Sequence, residues 1–148
     1  MKGYYNDPEK TAETLKHGWL HTGDVGYMDE AGYFYIVDRL KDLIVSGGFN
    51  ISPGEIEQVL WTLPAVSDCA VIGVPDAVWG EAIKAVVELK PGQSLDSDAA
   101  LALCRERLGG MKTPKTIEVW EQLPRSAVGK VLKREIRERF WQGSARRV

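Results

Sequence analysis

"SPGEIEQVLWTLPAVSDCAVIGV", residues 52–74, places a helical period directly before an apolar strand pattern. Ser52 is a capping residue, Pro53 suits the first helical position, and Glu55 stands three residues after the serine. Together they spell a helix start with a capping box. Ile56, Val59, Leu60 and Leu63 then recur at helical spacing. From residue 65 that period stops, and "AVSDCAVIGV" (65–74) is a near-continuous apolar run, the pattern of a strand.

The same reading extends outward. "AIKAVVEL" (82–89) alternates Ile83, Ala85, Val87 and Leu89 against Lys84, Val86 and Glu88, a second strand. Asp96 to Leu108 has a helical pattern with Leu101, Cys104 and Leu108 on one face, and Gly109 is a natural stop. "TIEVW" (116–120) is a short strand, and Leu132, Ile136 and Phe140 recur every four residues in a last helix. "DLIVSGGFNI" (42–51) reads as a short hairpin turning at Gly47-Gly48. The expected fold class for 42–148 is α+β, a small mixed β-sheet flanked by helices. Residues 1–38 read differently: Val25–Met28 and Tyr33–Val37 are hairpin arms around "DEAG", with no helix core. A two-stranded hairpin alone is marginal in water, so this segment is expected to be the tail of another domain and the chain a fragment.

Composition bounds the function classes. With 148 residues, 44% hydrophobic and 27% charged, the chain reads as an ordinary globular protein. A net charge of −2 supplies no basic field, which disfavours a nucleic-acid partner. The longest apolar run, "CAVIGV" (69–74), is too short to span a bilayer, and "KGYYNDPEK" after Met1 is no apolar leader. A cytoplasmic location is expected, with Cys69 and Cys104 as reduced, buried thiols. His17 and His21 lack a second pair of ligands nearby, so no metal site is expected.

Four short stretches suggest chemistry. In "LPRSAVGKVLKREI" (123–136), Lys130 follows Gly129 just before a helix start, where a cation is disfavoured. Gly129 lets the backbone approach a ligand, but the spacing is not that of a phosphate-cradling P-loop. Asp24 ends "HTGD"; a carboxylate there can accept ribose hydroxyls, and taken alone it reads equally as a turn residue. "DRLKD" (38–42) brings Arg39 and Lys41 between the two hairpins, and "SGG" (46–48) marks a bulge or a close backbone approach.

In their order, "GWLHTGD", "DRLKDLIVSGGFNISPGEIE", "VIGVPDAVWGE" and "LPRSAVGKVLKREI" resemble the C-terminal portion of the acyl-adenylate-forming enzymes. That superfamily includes acyl-CoA synthetases, adenylation domains of peptide synthetases and firefly luciferase. The nearest resemblance is to bacterial fatty-acyl or aryl-acid CoA ligases. It implies that residues 1–38 are the tail of a large N-terminal adenylation domain, 39–41 a hinge at Lys41, and 42–148 a mobile lid. By the same resemblance Asp24 would bind the ATP ribose and Arg39 the ribose or phosphates. Lys130 would be the catalytic lysine of adenylate formation. Gly47 and Gly48 would line a tunnel for the pantetheine arm of coenzyme A, with Trp79 packing on it and Lys115 meeting the coenzyme A phosphates. The implied ligands are ATP, coenzyme A, a small carboxylic acid and Mg²⁺, the last bound mainly by the N-terminal domain. That domain would also supply the phosphate loop and the acyl pocket, so this chain is expected to be inactive alone.

One departure is Val45, two residues before Gly47, where some relatives carry a lysine. The basic residues after Lys130, namely Lys133, Arg134, Arg137 and Arg139, read as a solvated helix face. The rival readings are a peptide-synthetase adenylation lid and a noncatalytic interaction module that kept the fold.

Overall fold

Residues 1–142 are described by the computed structural model. They fall into two units of unlike patterning, residues 1–41 and the chain from Asp42 onward. Residues 143–148, within the span expected for the lid, lie outside the described residues.

In the first unit, Asp7 caps α1 (Pro8–Thr14), its side chain accepting the Lys10 N–H at 2.9 Å, with Pro8 at the start. β1 (Leu15–Lys16) and β2 (Trp19–Leu20) pair antiparallel. So do β3 (Asp24–Met28) and β4 (Phe34–Arg39), where the sequence placed a hairpin. The helix corrects the reading of 1–38 as hairpin and loop alone; the Asp-Pro start in "NDPEK" signals it. No residue of 1–41 is buried, and Phe34 and Ile36 remain 79% and 69% exposed. The unit has backbone order without a core.

The second unit has the core. Its elements are β5 (Ile44–Ser46), β6 (Phe49–Ile51), α2 (Pro53–Trp61), β7 (Val66–Asp76) and β8 (Gly80–Leu89). After these come α3 (Ser97–Leu108), β9 (Thr116–Trp120) and α4 (Lys133–Phe140). The five strands form one sheet, ordered β6-β5-β8-β7, with β9 also on β8. β7 runs antiparallel along the whole of β8. β5 (at Ser46–Gly80) and the parallel β9 (from Lys84–Thr116) therefore share the other edge of β8.

Alternation sorts the side chains onto two faces. Cys69 and Val71 of β7 and Ile83, Ala85 and Val87 of β8 pack with Ile56, Val59 and Leu60 of α2 and Cys104 of α3. Ala70, Ile72 and Val86 pack on the opposite face with Leu123 and Ile136 of α4. The small mixed sheet flanked by helices is thus the observed architecture. Ser52 sits at the α2 N-cap but makes no capping side-chain bond, and Glu55 pairs with Lys112. The start is set by Pro53 and the extended backbone of Ser52 rather than by a capping box. No described helix is long and apolar enough to cross a membrane.

β7 is an edge strand, and its free edge is closed by side chains. The outward groups belong to odd-numbered residues. Asp68 accepts the Cys69 N–H at 2.8 Å, Glu57 accepts the Val71 N–H at 2.7 Å, and the Trp141 indole donates to the Gly73 carbonyl at 2.9 Å. Glu57 also pairs with Lys133 at 2.8 Å. Arg137 pairs with Asp42 at 3.1 Å, both side chains being largely covered. Lys133 and Arg137 are therefore internal clasps, which corrects the reading of these cations as a solvated face. The apolar period alone does not show which cations meet acids from distant segments. Arg134 and Glu138 do form an exposed pair at 2.7 Å.

Removing one partner of a shielded ion pair leaves the other uncompensated. Glu57→Ala is expected to lower the unfolding free energy of the chain by about 3 kcal/mol in urea titration. A loss below about 1 kcal/mol, the range of a surface pair, would show that the clasp does not hold the two helix layers together.

Candidate functional site

Gly47 and Gly48 are the two central residues of the turn joining β5 and β6, with φ of +58° and +83°. Two positive φ values in a two-residue hairpin are the primed turn that matches strand twist, and glycine enters it without steric cost. At Gly47 space adds a second constraint: a Cβ would stand 2.7 Å from Trp79 Cε3. At Gly48 a Cβ would meet nothing within 4 Å, so only the backbone conformation asks for glycine there.

The Gly47 N–H donates to the Trp79 carbonyl at 2.9 Å. Trp79 is held by Asp76, which accepts the N–H groups of Val78 and Trp79 at 2.9 Å each. The Trp79 bond, then the Val78 bond, holds the Asp76 carboxyl below its ordinary range. A buried carboxylate that the sequence reading gave no role, Glu81, accepts the Val45 N–H at 2.9 Å and ties β5 down. It lies against Gly73, where any side chain would collide with its carboxylate.

Beside this turn opens a cleft of about 310 Å³, lined by residues including Ser46, Phe49, Trp79, Ile83, Met111 and Lys115. Lys115 is exposed, and its backbone N–H donates to the Ile83 carbonyl at 2.8 Å. Trp79 and Lys115, which were singled out separately in sequence, line one cleft with an apolar rim and a cation, and Gly47 packs against that Trp79.

Lys130 is elsewhere in this unit and does not line the cleft. It ends a three-residue loop, Ala127–Gly129, in which Gly129 N–H donates to the Ser126 carbonyl and Ser126 N–H to the Lys130 carbonyl, both at 2.8 Å. Gly129 has φ +81°, the left-handed position such a loop requires. The Lys130 N–H donates to Ser126 Oγ at 3.2 Å. Among the described residues its ammonium has no hydrogen-bond or ion-pair partner.

In the first unit Asp24 and Arg39 are register partners across β3 and β4, with Arg39 Nε 3.0 Å from Asp24 Oδ1. The Arg39 side chain is 60% exposed. Lys41 is exposed on a 3-10 turn, Leu40–Asp42. Cys69 and Cys104 are buried, and burial raises both thiol pKa values, so neither is poised as a nucleophile. Among the described residues no group of three or more His, Cys, Asp and Glu side chains is placed to hold a metal ion.

Residues 55–130 match the AMP-binding enzyme C-terminal domain. The chain belongs to this family. It is 54% identical over 140 residues to a feruloyl-CoA synthase of Amycolatopsis sp., a match covering 95% of this chain and 28% of that one. It is 51% identical over 138 residues to a long-chain-fatty-acid–CoA ligase of Bacillus subtilis, covering 93% of this chain and 25% of the ligase. The crystal structure of ATP-bound MatB from Rhodopseudomonas palustris superposes with a TM-score of 0.85 at 41% identity, covering 94% of this chain and 28% of MatB. The chain thus spans about a quarter of the length of these relatives. The family resemblance and the α+β architecture read from the sequence are both borne out.

Two outcomes follow for the turn of this C-terminal domain. Gly47→Ala combines a left-handed conformation, costing about 1–2 kcal/mol, with a displaced indole. It should lower stability by at least that much and shift the Trp79 indole resonance; an unchanged resonance would separate Gly47 from Trp79. Acid should loosen the Trp79 turn. Because the folded carboxyl of Asp76 titrates below its ordinary value of 3.8, its contribution is complete above that pH and is lost as pH falls through the lower folded value. The Val78 and Trp79 amide shifts should report one shared transition below 3.8; a midpoint above it would contradict the assignment.

Proposed function

We propose that this chain is the C-terminal part of an ATP-dependent carboxylate–CoA ligase and completes its site only with the N-terminal domain. The carrying observation is Lys130: a lysine without a side-chain partner among the described residues, displayed at the end of a hydrogen-bonded loop. Acyl-CoA ligases among the relatives support the reaction class, and an ATP-bound neighbour supports the nucleotide.

In the first half-reaction a carboxylate oxygen attacks the α-phosphorus of ATP, giving acyl-AMP and releasing pyrophosphate. Lys130 would stabilise the negative charge of carboxylate and phosphate as they approach, work of positioning and electrostatics. Asp24 would accept the ribose hydroxyls, its carboxylate oriented by Arg39, and Arg39 would reach ribose or phosphate oxygens. Mg²⁺ would be held by the other domain. In the second half-reaction the thiol sulfur of coenzyme A attacks the acyl carbon and AMP leaves. The cleft beside Gly47 suits that ligand: Trp79, Phe49 and Met111 give an apolar rim for the pantetheine arm, and Lys115 a cation for phosphate.

One lid would serve both steps by rotating about residues 39–41, with Lys41 as the hinge between 1–38, the tail of the N-terminal domain, and 42–148. The exposed aromatic and aliphatic side chains of the hairpin support that placement of the first segment, since such a surface without a core belongs against another body. Feruloyl-CoA synthase and long-chain-fatty-acid–CoA ligase relatives support an aromatic or fatty carboxylic acid as the substrate.

The test joins this chain to its N-terminal domain and separates the half-reactions. Lys130→Ala should slow acid-dependent ATP–pyrophosphate exchange by about 10²–10³. It should leave coenzyme A attack on a preformed acyl-adenylate nearly unchanged. Equal losses in both assays would make the lysine structural, and an intact exchange rate would return the chain to the noncatalytic reading.

A further inference from the structure

Asp68 of β7 and Glu88 of β8 are direct register partners on neighbouring strands. Two carboxylates placed opposite each other destabilise a sheet unless a cation joins them. Arg125 joins them. Its Nη1 donates to Asp68 Oδ2 at 2.8 Å and its Nη2 to Glu88 Oε2 at 3.1 Å. The side chains of all three are less than a third exposed, at 29%, 23% and 19%. The socket is set before the arginine enters it. Asp68 Oδ1 takes the Trp61 indole N–H at 3.2 Å and the Cys69 N–H at 2.8 Å, while Glu88 Oε2 takes the Leu123 N–H at 2.9 Å.

The same Nη1 also donates to the Gly129 carbonyl at 3.3 Å, across the hairpin from its own backbone. Arg125 pairs with Val131, and the Leu132 N–H closes on the Pro124 carbonyl at 2.8 Å. Beyond this root the loop keeps only its own turn hydrogen bonds and little apolar cover: Val128 is 80% exposed, and Ala127 and Gly129 are exposed too. A short hairpin tip without apolar contacts is among the first parts of a fold to open.

We propose that Arg125 is a positioning residue for Lys130: anchored on the paired carboxylates of β7 and β8, it fixes the loop that presents the lysine. The inference rests on Lys130 acting in adenylate formation as set out above. Arg125 itself touches neither substrate nor reacting atoms. A planar fork is required, because its two terminal nitrogens serve two carboxylates and a carbonyl at once, which a lysine ammonium on a flexible stem cannot reproduce.

The test uses the enzyme with its N-terminal domain continuous with this chain. Arg125→Ala should slow pyrophosphate exchange at least tenfold, chiefly in kcat, while coenzyme A attack on preformed acyl-adenylate stays within twofold. Arg125→Lys should recover part of that loss and not all of it. In a Lys130→Ala background, Arg125→Ala should cost nothing further. Losses that multiply in the double variant, or that fall equally on both half-reactions, would overturn the proposal. A second readout does not depend on activity. Amide exchange of the 148-residue chain should quicken at least tenfold at Ser126 and Gly129 in Arg125→Ala, with Val71 and Val86 unchanged. Unchanged exchange at Ser126 and Gly129 would overturn the positioning role whatever Lys130 does. If Lys130→Ala alone leaves adenylation intact, the reading of Lys130 fails, and the exchange result then decides whether Arg125 orders the loop.

Discussion

Glu57 is a buried carboxylate shared by three elements. It projects from α2, takes the Val71 N–H on the free edge of β7, and meets Lys133 at the first position of α4. α2 and α4 cover opposite faces of the sheet, so a link between them has to pass around that edge. A cation at a helix start is disfavoured by the helix dipole, and here the carboxylate offsets it. Together with Ile136 in the core and the Arg137–Asp42 pair, this acid with both its partners fixes where α4 starts.

The same device recurs through the second unit. Glu81 takes the Val45 N–H, Glu88 the Leu123 N–H, Asp76 the Trp79 N–H and Asp68 the Cys69 N–H. Each carboxylate fastens backbone that no regular ladder satisfies. The acidic side of the chain's near-neutral balance is largely spent on internal order, and the cations left facing outward, Lys115 and Lys130 among them, are the ones suited to anionic ligands. A rigid framework with a few displayed cations can meet anionic groups without reorganising.

Much of this was legible in the sequence, for physical reasons that can be named. The period-3.6 stripe of Ile56, Val59 and Leu60 and the alternation through Ile83, Ala85 and Val87 are properties of neighbouring residues, and they specify α2, β8 and the core between them. Gly47, Gly48 and Gly129 were legible because positive φ narrows the choice of residue. What escaped was long-range. Nothing near Lys133 in sequence points to Glu57, 76 positions away, nor near Arg137 to Asp42, 95 away. Glu81 was likewise hidden, because its role lies in the approach of β5. α1 was missed although its Asp-Pro start is local: with no buried face it lacks the apolar period by which helices are usually found.

The shared edge of β8 has a dimensional consequence. β5 meets that edge at Gly80 and β9 joins it at Lys84, and the cleft beside Trp79 is lined from both sides, by Ser46 and Phe49 of the hairpin and by Thr113 and Lys115 before β9. Four residues of extended chain, about 13 Å along β8, separate the two pairings. That offset is a property of strand register, while Trp79, Met111 and Lys115 belong to the cleft's lining. Substitutions can therefore alter the lining without moving the strands. The offset can change only in steps, because a slip of β9 that keeps its inward face inward must be two residues, about 7 Å. The chemistry of the cleft's lining is open to gradual variation; the strand offset behind it is quantised.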